Sequence, residues 1–154
     1  MSSPSSATTL APAPIRPAVG VDAHALFALS APFIRSGALR RRSVADYRTA
    51  AADFLVSPGP AGLLGCVALG GLPDGAAVLY NFCVHGARQG TGLGSALLDA
   101  LLHRADGRPL YTATTGSARL FHHYGFTEIP ARLAPPGWAA GLDPARNSRV
   151  YLRT

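Results

Sequence analysis

The chain has 154 residues, 48% of them hydrophobic and 14% charged, the balance of a single packed domain and not of a disordered polymer. Its fourteen basic residues are all arginine and outnumber eight acids for a formal charge of +6, so chemistry that needs a lysine is excluded and an anionic ligand is favoured. No apolar run approaches the roughly 20 residues that span a bilayer, and the arginines, scattered except for Arg40-Arg41-Arg42, carry no aromatic interleaving of the kind that binds nucleic acid.

Residues 1–14 (MSSPSSATTLAPAP) are rich in Ser, Thr, Pro and Ala and have no basic start. They read as a disordered tail rather than a secretory leader, which places the protein in the cytoplasm. The domain then runs over 15–154. A short strand is expected at Ile15–Ala18, and a helix from Asp22 through Leu29, where Ala23, Leu26, Phe27 and Leu29 recur at near-helical spacing. The segment Ser36–Arg42 reads as irregular. Ser43 looks like the N-cap of a second helix, Val44 to about Phe54, with Asp46 in its first turn.

Three strands follow. Phe54–Val56 is stopped by Ser57-Pro58-Gly59-Pro60, and Leu63–Leu69 is joined through Pro73-Asp74-Gly75 to Ala77–His85, a long apolar run suited to a central strand. Cys66 and Cys83 fall singly in two of these runs, without metal or redox spacing, and read as small core residues of a reducing compartment. After the loop Arg88–Gly94 come a helix (Ser95–His103), a strand (Leu110–Thr114), a short helix (Ser117–Tyr124) and a strand (Phe126–Ile129). A Pro/Gly-rich excursion (Ala131–Ala145) then leads to a closing strand (Ser148–Leu152). This order predicts one α/β domain with a mixed sheet.

The loop carries the chemistry. Arg88-Gln89-Gly90-Thr91-Gly92-Leu93-Gly94-Ser95 joins a strand to a helix and offers successive N–H groups at a helix N-terminus, where the dipole favours anions. Its glycines let a phosphate approach the main chain, so a diphosphate is the natural ligand. A nucleotide-hydrolysing P-loop would need Gly-Lys-Ser/Thr. A dinucleotide fold would need the loop after its first strand and an acid about 20 residues on. Neither condition is met.

At this loop the chain resembles the GCN5-related N-acetyltransferases (GNAT), whose signature Arg/Gln-x-x-Gly-x-Gly/Ala is matched by Gln89-Gly90-Thr91-Gly92-Leu93-Gly94. A second landmark, a short helix ending in Gly-Phe, is matched by Ser117 to Phe126. The resemblance implies a mostly antiparallel central sheet flanked by helices, with acetyl-CoA as co-substrate and no metal. It implies that Gln89, Gly90, Thr91, Gly92, Leu93, Gly94 and Ser95 hold the pyrophosphate, that backbone near Cys83 and Val84 takes the pantetheine, and that Ser117 joins the coenzyme site.

Beyond the coenzyme loop, Gly37-Ala38-Leu39-Arg40-Arg41-Arg42-Ser43, Leu110 to Thr115 and Arg146-Asn147-Ser148 are similar to segments of the acetyltransferase domain of N-acetylglutamate synthases. That resemblance spans roughly 14 to 154 and includes no amino-acid-kinase domain. Carried over, Arg41, Arg146 and Ser148 become ligands for a substrate carboxylate, with Arg40 and Arg42 facing solvent; a guanidinium fork and a hydroxyl suit that group. The partner expected is a small amine with a carboxylate, glutamate-like or an unusual analogue such as a hydrazine-like amino acid, in biosynthesis or self-protection. The expected assembly is a homodimer.

Two positions depart from the pattern. The glutamate taken as base in the synthases is Val78 here, and the tyrosine that serves many members as acid is Phe121. Thr114 matches a hydroxyl thought to assist the leaving group, and Tyr80 and Asn81 lie on the central strand, where alternation sends one of them to the cleft. These three are the catalytic candidates. The second reading is an acetyl-CoA-binding regulatory module of weak turnover, which the missing Glu and Tyr favour.

Overall fold

A computed structural model describes residues 14–154; the expected tail lies outside the described residues except for Pro14. The elements run β1 (Arg16–Pro17), α1 (Ala23–Arg35), α2 (Val44–Thr49), β2 (Phe54–Gly59), β3 (Gly62–Gly71), β4 (Ala77–Val84), α3 (Leu93–Ala105), β5 (Leu110–Thr114), α4 (Arg119–His123), β6 (Thr127–Ile129), α5 (Pro136–Ala139) and β7 (Arg149–Arg153). They form one seven-stranded sheet in the order β1-β2-β3-β4-β5-β7-β6. Every pairing is antiparallel except β4 with β5, which is the mixed, mostly antiparallel sheet expected.

Each face of the sheet buries its own core. On one, Leu97, Leu98 and Leu101 of α3 pack with Val67, Leu79 and Leu110 from the strands. On the other, Leu26 and Leu29 of α1 and Tyr47 of α2 pack with Phe54, Val56, Cys66 and Cys83. Both cysteines are free thiols in the interior. The Sγ–Sγ contact of 3.6 Å with Cys66, together with burial, holds the Cys83 thiol well above its ordinary range.

Local differences from the sequence reading have local causes. The first helix does not stop at Leu29 but continues to Arg35 through Pro32; Pro32 is exposed, so the carbonyl it leaves without a partner can meet water. The second helix stops at Thr49 because a 3-10 turn over Ala51–Asp53 leads into β2 at Phe54. β2 runs past Val56 to Gly59, since a bulge between Ser57 and Pro58 absorbs the proline. Ser43 caps α2 as its sequence implies: its hydroxyl accepts from the Asp46 amide at 3.0 Å and its amide donates to the Asp46 carboxylate at 2.8 Å. Among the described residues no helix is long and apolar enough to cross a membrane.

Candidate active site

β4 and β5 pair only at Ala77 with Leu110 and Val78 with Tyr111, and beyond that point they diverge. At the fork the Thr112 hydroxyl, 1% exposed as a residue, donates to the Leu79 carbonyl at 2.9 Å. A side chain thus satisfies an acceptor at the place where ladder pairing ends. The gap is a cleft of about 970 Å³ that passes through the sheet, from Phe33, Leu39 and Asn81 on the α1 side to Gly94, Leu120 and Phe121 on the α3 side.

At its α3 end the cleft meets the glycine-rich loop. Gly90 (φ 78) and Gly92 (φ 89) both have left-handed backbones, which glycine adopts without a Cβ penalty. Gly92 is the N-cap of α3 and has no side-chain cap, and the first-turn amides of Leu93, Gly94 and Ser95 precede the first helical bond, from the Ala96 amide to the Gly92 carbonyl. The Arg88, Gln89 and Thr91 amides, by contrast, are used in turns. The Gln89 side chain donates to the Val84 carbonyl at 3.2 Å and the Thr91 hydroxyl donates to the Arg88 carbonyl, so these two side chains brace the loop. Leu93 anchors it in the core. Cys83, Val84, Gln89, Gly90, Gly94 and Ser117 line the cleft. This end fits a diphosphate by the chemistry of its donors.

On the α1 side, β4 breaks its alternation. Cys66 lies opposite Cys83 and Ala68 opposite Tyr80, with a register shift between, so β4 carries one extra residue at a bulge. Asn81 within it has φ 49. Alternation would send one of Tyr80 and Asn81 to the cleft, but both line it, their side chains turned to the α1–α2 face because the inserted residue undoes the two-residue period. The Tyr80 hydroxyl donates to Asp53 at 2.6 Å, and burial together with that carboxylate raises its pKa. Asn81 is held by Ser30, Tyr47 and Arg42 at 3.0, 3.1 and 3.2 Å.

Arg42 does not face solvent as expected. It is half-buried, its guanidinium 4.9 Å from the centre of the Tyr80 ring, and burial lowers its pKa. Among the described residues no carboxylate pairs with it. Arg41 is exposed, and it lines with Arg146 a neighbouring pocket of about 500 Å³ that shares Leu39 with the cleft. Arg146 donates to the Gly37 and Ala38 carbonyls at 3.3 and 2.9 Å, and its buried Nε has no partner among the described residues. Ser148 is half-buried between this arginine and β7 and lines neither cavity.

Thr114 lines the cleft, and its hydroxyl accepts from the Gly116 amide at 3.1 Å. Phe121 lines it too. Val78 is buried at the last paired position. His85 caps the turn after β4 by accepting from the Ala87 amide. Tyr124 donates to the Ser95 carbonyl at 3.1 Å, and burial raises its pKa. Sequence reasoning missed Arg42, Thr112, and the cleft-lining Arg88 and Arg119. Only the last two left a signal, as cations beside an anion loop. Among the described residues no group of three or more His, Cys, Asp or Glu could hold a metal ion.

The model of the acetyltransferase (GNAT) domain family matches residues 50–128. Among solved structures, the chain is similar to N-acetylglutamate synthase from Neisseria gonorrhoeae complexed with coenzyme A and N-acetyl-glutamate, with a TM-score of 0.86 and 24% identity over 94% of this chain. It spans 35% of that chain, about a third of its length. Rv2747 from Mycobacterium tuberculosis, in complex with CoA and NLQ, is similar at TM-score 0.78 and 23% identity, covering 92% of this chain and 98% of that one. Diaminobutyrate acetyltransferase EctA from Paenibacillus lautus, in complex with L-2,4-diaminobutyric acid and coenzyme A, is similar at 0.68 and 16%, covering 90% and 92%. No curated protein matches the chain. With the family match over more than half its length, and with the forked sheet and open helix N-terminus that match falls on, the chain belongs to the GNAT acetyltransferases.

Proposed function

We propose that this enzyme acetylates the amine of a small amino acid or amino-acid-like carboxylate. The observation that carries the reading is Arg42, a half-buried guanidinium that bonds the cleft-lining Asn81 and lies over the cleft-lining Tyr80, with no carboxylate partner among the described residues. A desolvated cation of this kind favours an anionic ligand. Arg41 and Arg146, across Leu39, add a second place for a carboxylate, and the orphaned Arg146 Nε is a donor in want of an acceptor. Ser148 lines neither cavity, so the pocket's donors are the two arginines. The similar proteins complexed with N-acetyl-glutamate and with L-2,4-diaminobutyric acid agree with this class.

Acetyl-CoA supplies the activated thioester. Arg88 and Arg119 line the cleft near the loop that holds its phosphates, and Ser117 lines it with them. The Thr114 hydroxyl accepts from Gly116, which leaves its own proton free to be donated to a leaving thiolate. Among the described residues no carboxylate lines the cleft in place of the missing glutamate: Val78 is apolar and the Tyr80 phenol is committed to Asp53. Proton removal from the amine then falls to water, which suits an acceptor of low amine pKa.

A specific observation favours the second reading, a regulatory acetyl-CoA-binding module. Neither Val78 nor Phe121 can move a proton, and both sit in or beside the cleft. Thiol release from acetyl-CoA separates the two. The panel holds L-glutamate, L-aspartate, L-2,4-diaminobutyrate, hydrazino and diazo amino acids, and the decarboxylated amine of each where one exists. Turnover is expected only with carboxylate-bearing amines. Arg42→Ala should cost about 2–5 kcal/mol in acceptor kcat/KM, and Arg41→Ala, at an exposed site, up to roughly 1 kcal/mol, with acetyl-CoA KM nearly unchanged in both. Parallel losses toward both substrates would overturn the ligand assignment. Tight coenzyme binding with no turnover on any amine would decide for the module.

A further inference from the structure

Asn81 holds a left-handed backbone in the middle of an apolar strand, a conformation that Asn tolerates and that regular pairing does not call for. It sits where two residues of β4 oppose Val67 alone. Its carbonyl has left the ladder direction and accepts from Cys66 Sγ at 3.2 Å. Its side chain is fully engaged: Oδ1 accepts from Tyr47 Oη and Arg42 Nη1, and Nδ2 donates to Ser30 Oγ. Those partners come from α2, from the segment before it, and from α1. One residue, 4% exposed, therefore joins the bulge to three pieces of the acceptor wall.

A bulge leaves main-chain groups of the inserted residue outside the ladder. Here they belong to the strand whose β5 edge is already open along the cleft. We propose that Asn81 is a positioning residue for acetyl transfer: it fixes the bulge that presents β4 main-chain groups to the cleft, and in the same knot it aims the Arg42 guanidinium at the acceptor. The first half stands on the fold and the family reaction alone. The second half rests on the reading of Arg42 as a carboxylate ligand.

Two substitutions separate the halves. Asn81→Gly keeps the left-handed backbone and deletes every side-chain bond. Asn81→Asp keeps the backbone and the acceptors for Tyr47 and Arg42, and the Ser30 hydroxyl can rotate to donate; it also neutralises Arg42. With the fastest acceptor of the panel, Asn81→Gly should lower kcat by about tenfold or more with acetyl-CoA KM within about threefold. Amides of residues 79–84 should also exchange hydrogen faster, a readout that needs no acceptor. Asn81→Asp should restore kcat to within about threefold of the parent while raising acceptor KM by about tenfold. A parental kcat and parental exchange in Asn81→Gly, or a kcat loss in Asn81→Asp as deep as in Asn81→Gly, would overturn the proposal. An Asn81→Asp enzyme with unchanged acceptor KM would overturn its second half. If Asn81→Gly does not fold, the kcat of Asn81→Asp decides alone: near-parental supports the bulge role and a tenfold loss ends it.

Discussion

On the α3 side of the sheet the proposed coenzyme cradle is main chain. Gly90 and Gly92 bend the backbone, and the first turn of α3 supplies amides that no N-cap side chain bonds. On the α1–α2 side the wall is a knot of side chains, in which Asn81, Tyr47, Ser30, Arg42, Tyr80 and Asp53 satisfy one another. On the proposed assignment the contrast follows the ligands. A diphosphate is met by the N–H groups every residue owns, so the constraint falls on conformation; an acceptor is told from its analogues by polar groups placed one by one. Changes of shape should therefore break the first side, and changes of hydrogen bonding the second.

The largest effect should come from Gly92→Asp. Aspartate tolerates the left-handed region better than most residues, so the turn should survive while a negative charge enters the anion site. Like charges at contact cost several kcal/mol, so the coenzyme affinity measured by calorimetry should fall by roughly a hundredfold or more. Unchanged affinity would place the phosphates elsewhere. Next is Thr112→Val at the fork between the two sides. It leaves the Leu79 carbonyl without its 2.9 Å donor. An unpaired buried acceptor costs about 1–3 kcal/mol, and for a chain of this size that lowers Tm by about 3–9 °C. A Tm within a degree of the parent would mean that cleft water already serves that carbonyl.

The two sides were unequally legible in the sequence. Glycines between an apolar strand and an apolar helix point to an anion cradle because the constraint is local, and β5 begins and ends where its composition implies, at Leu110 and Thr114. The Ser43 cap was readable for the same reason. The acceptor side was not. The two-residue alternation of a strand has no term for an inserted residue, so the bulge at Asn81 misassigned the side chain beside it; the one hint was a left-handed-tolerant Asn inside an apolar run. Among three consecutive arginines, the residue that turns inward is set by where Ser43 starts α2 and by the Tyr80 ring 38 positions further along the chain, which no window around Arg42 contains. Arg41 and Arg146 do meet in one pocket, but the contact joins segments over a hundred positions apart (|i−j| 109 for the Arg146–Gly37 bond), and only the family resemblance anticipated it.

The smallest effect tests whether conformation, and not bareness, is what the coenzyme side requires. Gly94 differs from Gly90 and Gly92 in that its backbone is ordinary helix and its φ is negative. A methyl group there would meet Leu120 Cδ2 and Phe82 Cζ at 3.5 Å and Val84 Cγ2 at 3.8 Å, all ordinary contact distances. Alanine gains up to about 1 kcal/mol over glycine within a helix, so Gly94→Ala should raise Tm by about 2–4 °C and change coenzyme affinity by less than about threefold. A loss as deep as that of Gly92→Asp would show that the phosphates touch the main chain at Gly94 itself. The α3 side would then select for a missing side chain, as the α1–α2 side selects for particular ones, and the distinction between the two would narrow to which atoms are withheld.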